Sequence, residues 1–456
     1  MINKQIKNLC ININKSILDA LNKFDKNRNN FLIVVDSKNQ FKGIITISDI
    51  RRTIIKGNSI ESSIKKFINP NPVFYKDNGK KKLLQEFLLK AKIKNIEPKI
   101  IPVVNSKNIP INIIENFDFN NQISIKKKLK KILIIGGAGY IGSILTDLLL
   151  QKGYEVSVLD KFIYQSKKRF FNEIKSKKNL KIFDGDTRHL NVVFNAVKNN
   201  DIVVHLGEMV GDPLCAKDPD LTFETNYLAS VSIATICKIL EISKFIYISS
   251  CSVYGESISD SYLNEKSNIN PVSSYAKLKI MCEEAISRNI GSFCKPTIIR
   301  LGTVFGDSIR KRYDLVINLF SGLAANKKTI RIFGGTQWRP FIHVKDVCNF
   351  INKIIESSNK KVNGQIFNLT KENVTIKEVG EIIKKKYGTN VVVDKNTNDT
   401  RNYKVSSLKA KKVLNFMPKF SIRYGINEMI KITKKNKIKN ILHHRYINLK
   451  NYEKFK

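Results

Sequence analysis

A tyrosine followed four residues later by a lysine is the feature of this 456-residue chain best suited to moving a proton. Tyr275 and Lys279 stand in Ser274-Tyr275-Ala276-Lys277-Leu278-Lys279. On a helix, positions i and i+4 share one face. A free phenol, with a pKa of about 10, is a poor base at neutral pH. A cation one turn away stabilises the phenolate and lowers that pKa. A hydroxyl at the end of a nearby strand can then share the proton of a substrate alcohol. Phe245-Ile246-Tyr247-Ile248 reads as a buried strand and ends in Ser249-Ser250. A stray Tyr-x-x-x-Lys usually decorates a solvated helix, so the chemistry depends on what positions it.

The positioning elements are legible upstream. Ile132-Leu133-Ile134-Ile135 has the composition of a buried parallel strand and runs into Gly136-Gly137-Ala138-Gly139-Tyr140-Ile141-Gly142. Gly136, Gly139 and Gly142 follow a GxxGxxG spacing that opens a helix over Ser143–Gln151. That spacing suits a tight turn, a pyrophosphate at the helix start, and close helix–strand packing. A second strand, Glu155–Leu159, ends in Asp160, an acid placed to accept from both hydroxyls of an adenosine ribose. It repels the extra phosphate of NADP, so NAD is the expected cofactor, an inference blunted slightly by Lys161. Strands ending in Asp184-Gly185-Asp186-Thr187-Arg188 and at Ile202–Leu206 continue the βαβ rhythm.

With these segments in order, residues 131–433 resemble an extended short-chain dehydrogenase/reductase of the NAD-dependent sugar-nucleotide epimerase/dehydratase family, the UDP-galactose 4-epimerase type. His205-Leu206, Asn226, Arg300–Gly306, Gly334–Val347 and Asp399-Thr400-Arg401-Asn402-Tyr403 match in sequence. The resemblance implies an α/β fold: a doubly wound parallel Rossmann sheet with a smaller C-terminal substrate lobe. It implies catalysis by Ser250, Tyr275 and Lys279. Gly136, Gly139, Tyr140, Ile141, Gly142, Asp160, Asp186, Thr187, Leu206 and Asn226, with Tyr275 and Lys279, would hold NAD. Ser250, Ser252 and Thr303 would face a nucleotide-diphosphate sugar, and Arg339 and Arg401 would grip its diphosphate. Arg forks suit that role.

Departures from the family pattern narrow the reaction. Dehydratases of the group need an acid/base pair at the positions of Cys251 and Ser252, and decarboxylating members carry Glu at the latter. Neither residue here replaces a carboxylic acid. Epimerisation by transient oxidation of a ring carbinol remains, with a one-way dehydrogenase or reductase as the alternative that uses the same residues. A nucleotide sensor on an idle Rossmann scaffold is the non-enzymatic alternative, against which the intact Ser-Tyr-Lys set argues. Glu208 stands where the group often has a small residue. Thr303 stands where many epimerases carry Asn. Ser308–Asp314 is a basic insertion that either contacts the sugar or covers the cleft.

Residues 1–122 read differently. A helix from Ile17, strands at Phe31–Asp36 and Gly43–Thr46, and a helix from Ser48 are followed by a weaker copy: helix Lys81–Ala91 and strands Ile100–Val104 and Ile111–Ile114. The repeat, with Thr46-Ile47-Ser48-Asp49, resembles a tandem CBS (Bateman) module of α+β fold. The resemblance implies a regulatory role, with Thr46 and Asp49 holding AMP or ATP; alternatively Asp49 only caps its helix. Residues 123–130 read as a linker and 434–456 as a basic tail, a terminal helix or a frayed end. Both family resemblances imply self-association, a homodimer for the epimerase.

The composition sets outer bounds. The net charge is +41, from 80 basic and 39 acidic residues. Residues 1–125 hold 22 basic and 10 acidic side chains, so the excess is spread evenly rather than clustered in a groove. There are 66 Lys and 14 Arg, which argues against specific nucleic-acid binding. No run approaches a membrane span or a signal peptide, so a cytoplasmic protein is expected. Seven scattered cysteines without CxxC spacing suggest neither disulfides nor a metal site.

Overall fold

The structure is a computed structural model that describes residues 4–27, 30–69, 72–77, 100–115, 130–257, 261–289, 295–394 and 399–455. It forms two compact units, Met1–Lys128 and Leu129–Lys456. The helix expected over Lys81–Ala91 and nearly all of the linker lie outside the described residues.

In the first unit the hairpin Phe31–Val35 and Phe41–Thr46 is flanked by a parallel strand, Cys10–Asn12. The same arrangement recurs as Tyr75–Lys76, Ile100–Val104 and Pro110–Glu115. The correspondence reaches single residues. A register shift falls at Val34/Val35 and again at Val103/Val104. The Asp36 carboxylate accepts from the backbone N–H of Lys38 and Gln40, and Asn105 Oδ1 does the same for Lys107 and Ile109. The turns place Asn39 and Asn108 in the left-handed region, which Asn tolerates. The structure thus repeats one turn chemistry 69 positions apart, Asp36 against Asn105.

The second unit is built on a seven-stranded, all-parallel sheet. Its order is Ile366–Leu369, Thr297–Leu301, Lys244–Ser250, Ile202–His205, Lys131–Ile135, Glu155–Asp160, Leu180–Asp184. Continuous apolar runs such as Ile132–Ile135 are buried on both faces, as a parallel sheet covered by helices requires. Strand order reverses between Lys131–Ile135 and Ile202–His205. Doubly wound sheets bind ligands beyond the carboxyl ends of the strands at such a point. A smaller lobe packs the helices Val316–Ala325, Ile376–Tyr387 and Ile422–Lys435 on short strands around Phe305, Ile317, Phe341, Val379 and Ile426. Among the described residues no helix is long and apolar enough to cross a membrane.

Of the two alternatives for the C-terminal segment, a terminal helix or a frayed end, the described residues form the helix. After the Ile422–Lys435 helix the chain turns back and forms a helix over Asn448–Phe455. Tyr452 is buried against Met209, Leu214 and Cys215, and its hydroxyl donates to Asp218 at 2.7 Å. Packing of one aromatic residue outweighs the weak helical pattern of a Lys- and Asn-rich segment.

A candidate dinucleotide and carbinol site

The catalytic candidates come from two adjoining elements. The strand Lys244–Ser250 is buried until it emerges at Ser250, whose Oγ accepts from Ser252 N at 3.1 Å. The helix Ser274–Asn289 starts where Ser273 Oγ accepts from Ala276 N, and its first turns carry Tyr275 and Lys279. Ser250, Tyr275 and Lys279 all line one cavity of about 350 Å³. The Lys279 ammonium lies 5.7 Å from the centre of the Tyr275 ring. It donates to Ile248 O at 2.6 Å and pairs with the Glu208 carboxylate.

Electrostatics here is a contest. The net result raises the Tyr275 phenol to about 12: burial raises it most, Lys279 lowers it, and Glu208 raises it again. Burial works to deprotonate Lys279, but Glu208 outweighs it and holds the ammonium above its ordinary pKa. Glu208 is itself fixed by the Tyr247 hydroxyl, which donates at 2.8 Å. Glu208 and Lys279 side chains are only 3% and 5% exposed. The sequence marked Glu208 as unusual without assigning it a partner.

The same cavity runs along the start of the helix Tyr140–Gln151. Gly136 adopts a φ of 79°, and a Cβ there would lie 2.7 Å from Gly207 N and Cα. A Cβ on Gly142 would lie 2.1 Å from Gly136 O. Both positions therefore require glycine. Gly139, Tyr140, Ile141, Asp160, Asp186, Thr187 and Leu206 line this end too. The Asp160 carboxylate accepts from Ala138 N and Phe162 N, which fixes it at the strand end beside the cavity. Its pKa is nonetheless raised, by burial. Asp186 is held well below the usual carboxylate range: burial opposes this, and Arg188 and Lys161 override it. A glycine-walled channel leading from a buried acid to the Tyr-Lys pair fits a dinucleotide.

Other candidates fall elsewhere. Asn226 does not line the cavity; Thr225 does. In a π-helical stretch, Phe223–Leu228, the Asn226 amide accepts from Met209 N and donates to Met209 O, each at 2.8 Å. Its side chain holds the loop after Leu206 in place. Thr303 lines the cavity; Ser252 is buried outside it, its hydroxyl without a partner among the described residues. Arg339 and Arg401 lie side by side but also outside the lining. Arg339 pairs with Asp399 at 2.8 Å, and Arg401 with Asp399 and Asp212, both at 2.7 Å. Three contributors were missed in the sequence: Asn448, Tyr452 and Phe455, from the C-terminal helix, line the same cavity. Thr46 and Asp49 form a capping box at the helix Ile47–Ile55, and Asp49 also pairs with Arg52.

Residues 132–370 match the NAD dependent epimerase/dehydratase family, and residues 4–56 match the CBS domain. A dTDP-D-glucose 4,6-dehydratase of Dictyostelium discoideum is 31% identical over 53% of this chain, which spans only 58% of that protein. A putative UDP-glucose 4-epimerase of Methanocaldococcus jannaschii is 28% identical over 67% of this chain and 99% of its own length. The UDP-glucuronic acid 4-epimerase of Bacillus cereus, solved with UDP-glucuronic acid and NAD, superposes with a TM-score of 0.61 at 24% identity, over 67% of this chain and 99% of that one. With more than half its length inside the match and a cavity shaped for the dinucleotide, this chain belongs to the NAD dependent epimerase/dehydratase family.

Proposed function

We propose that the chain is an epimerase of a nucleotide-diphosphate sugar that uses NAD. The observation that carries this reading is a single cavity lined both by Ser250, Tyr275 and Lys279 and by the start of the Tyr140 helix. With Lys279 and the positive nicotinamide ring of bound NAD together favouring its phenolate against burial, Tyr275 Oη would take the proton of a ring hydroxyl while Ser250 Oγ hydrogen-bonds to the same oxygen. Lys279 holds positive charge beside the phenol. NAD supplies the hydride acceptor and donor. After the keto sugar turns over, Tyr275 returns the proton and one centre has inverted without net redox. Arg339 and Arg401 would hold the diphosphate as the fixed end of that turn, exchanging Asp399 for the substrate's oxygens.

Epimerisation is favoured over dehydration or decarboxylation by what lies near Ser250. The carboxylates lining the cavity among the described residues are Asp160, Asp186 and Glu208. Backbone N–H groups engage Asp160, Lys161 and Arg188 engage Asp186, and Lys279 engages Glu208. Cys251 donates its thiol to Arg300 O at 3.2 Å, and burial raises its pKa. Among the described residues, that leaves no carboxylic acid lining the cavity free to protonate a leaving hydroxyl. Self-association into a homodimer and adenosine-nucleotide control through the first unit belong to the same proposal.

Proton NMR of a nucleotide-sugar panel after incubation tests the reading, since ring couplings report the inverted centre. Tyr275→Phe is expected to lower kcat by about a hundredfold or more, with bound NAD unchanged. Full turnover in that variant would remove Tyr275 from the mechanism, and no change in any sugar would remove the epimerase assignment.

A further inference from the structure

Arg310 is a cation in an unusual position. It is 3% exposed, yet among the described residues its Nε and Nη2 have no hydrogen-bond partner. The neighbouring acid gives it no hydrogen bond: Asp314 favours the Arg310 charge from a distance, but its carboxylate is held by Arg312, at 2.9 and 3.1 Å. Burial, with Arg312 adding repulsion, pushes the Arg310 guanidinium down to about 10. A buried guanidinium whose donors are left unused is disfavoured, and such groups are normally satisfied. Arg310 also lines the cavity.

Its segment is fastened to the glycine motif. Ser308 Oγ donates to Tyr140 O at 2.6 Å and lies 3.1 Å from Ser143 Oγ. The Tyr140 hydroxyl donates to Gly306 O at 2.6 Å. The Arg310 guanidinium packs 4.6 Å over the ring of Tyr164, just past Asp160. The basic insertion thus meets the first turn of the Tyr140 helix, where free N–H groups and the helix dipole already favour an anion. Arg339 and Arg401, the guanidinia expected to serve the substrate, are tied to Asp399 outside the cavity lining.

We propose that Arg310 binds a diphosphate at the start of the Tyr140 helix, and that this diphosphate is the dinucleotide's rather than the sugar substrate's. The proposal rests on NAD as cofactor. It makes the insertion a clamp that joins the substrate lobe to the cofactor. Such a grip suits a reaction in which the same cofactor must return the hydride that it took.

Titration calorimetry on the full chain, stripped of NAD, tests this with ADP-ribose, adenosine and UDP-glucose. Arg310→Met should weaken ADP-ribose by about tenfold to a hundredfold, the loss of a charge-assisted fork. Adenosine, which lacks phosphate, should bind both proteins within about twofold, as should UDP-glucose measured with NAD saturating. Because the variant removes a buried charge with unused hydrogen-bond donors, its unliganded melting temperature should not fall. Should it fail to fold, Arg310→Lys carries the test, with an intermediate loss of ADP-ribose affinity expected. Unchanged ADP-ribose binding in the variant overturns the proposal. Weakened UDP-glucose with unchanged ADP-ribose overturns it in favour of the substrate's diphosphate. If the wild-type chain binds neither ADP-ribose nor NAD, the cofactor reading itself has failed.

Discussion

At the scale of single residues, the site joins neighbours along one helical turn to partners far apart in the chain. Tyr275 and Lys279 are one helical turn apart, and Gly136, Gly139 and Gly142 sit within one strand–turn–helix, so spacing alone reveals both sets. Glu208 meets Lys279 across 71 positions, and no local pattern announces that. Asn226 shows the converse: its place in the order of motifs suggested the cofactor, but both ends of its amide are used by Met209. The Glu208–Lys279 pair has a measurable consequence. Removing one partner of a buried pair leaves the other charge uncompensated, typically at about 3–5 kcal/mol. Glu208→Ala is expected to destabilise the second unit by that order in urea denaturation. Adding Lys279→Met should recover much of the loss, and a double variant worse than the sum of the singles would show that the pair is not coupled this way. The pH dependence follows from the raised Lys279 pKa. A group raised in the folded state contributes fully below its unfolded pKa, so the pair stabilises throughout the neutral range. That contribution is lost as alkaline pH rises through the folded value.

At the scale of elements, the strands are readable because a parallel sheet buried on both faces writes itself as continuous apolar runs. The C-terminal helix is legible only as one of two alternatives, because Lys and Asn dilute its pattern. The signal was present nonetheless: Leu449 and Tyr452, three apart, pack together beside Met209 and Leu214. The helix is pinned at both ends of its inner face. Asn448 N donates to Asp314 at 3.0 Å, and Tyr452 to Asp218 at 2.7 Å. Lys161, the residue after Asp160, sits over the Phe455 ring at 5.7 Å. A helix in that position covers the cavity at the Asp160 end. Ending the chain at Tyr446 should therefore leave the remaining fold cooperative while NAD dissociates about tenfold faster or more, the effect of losing one well-packed aromatic wall. Stopped-flow displacement of bound NAD measures this, and an unchanged dissociation rate would show that the helix serves only stability.

At the scale of the whole molecule, the +41 charge belongs to neither unit's specific chemistry. It is carried mostly by scattered Lys, whereas the few Arg repay attention: Arg310, Arg339 and Arg401 are each buried or ion-paired around the proposed ligands. Two adenosine-recognising surfaces are expected on one chain, NAD in the second unit and AMP or ATP in the first, so a nucleotide effect must be assigned to its unit. Thr46 and Asp49 supply a hydroxyl, a carboxylate and a helix start. Asp49 Oδ2 is used by Thr46 N and Oγ1, and Oδ1 by Arg52, whose side chain is 70% exposed. A nucleotide entering there would take Arg52 for its phosphate and free Asp49 Oδ1 for a ribose hydroxyl. Ligand that binds only the folded state stabilises it by about 2.7 kcal/mol at a hundredfold excess over Kd. AMP or ATP should accordingly raise the melting of the full chain. Asp49→Asn, which keeps an acceptor for the helix cap but loses the charge, should abolish that response. The stabilisation by ADP-ribose should be untouched in the same variant. A response to AMP that survives Asp49→Asn would place the nucleotide in the Rossmann unit, and no response in the parent chain would leave the repeat as a structural module without a nucleotide.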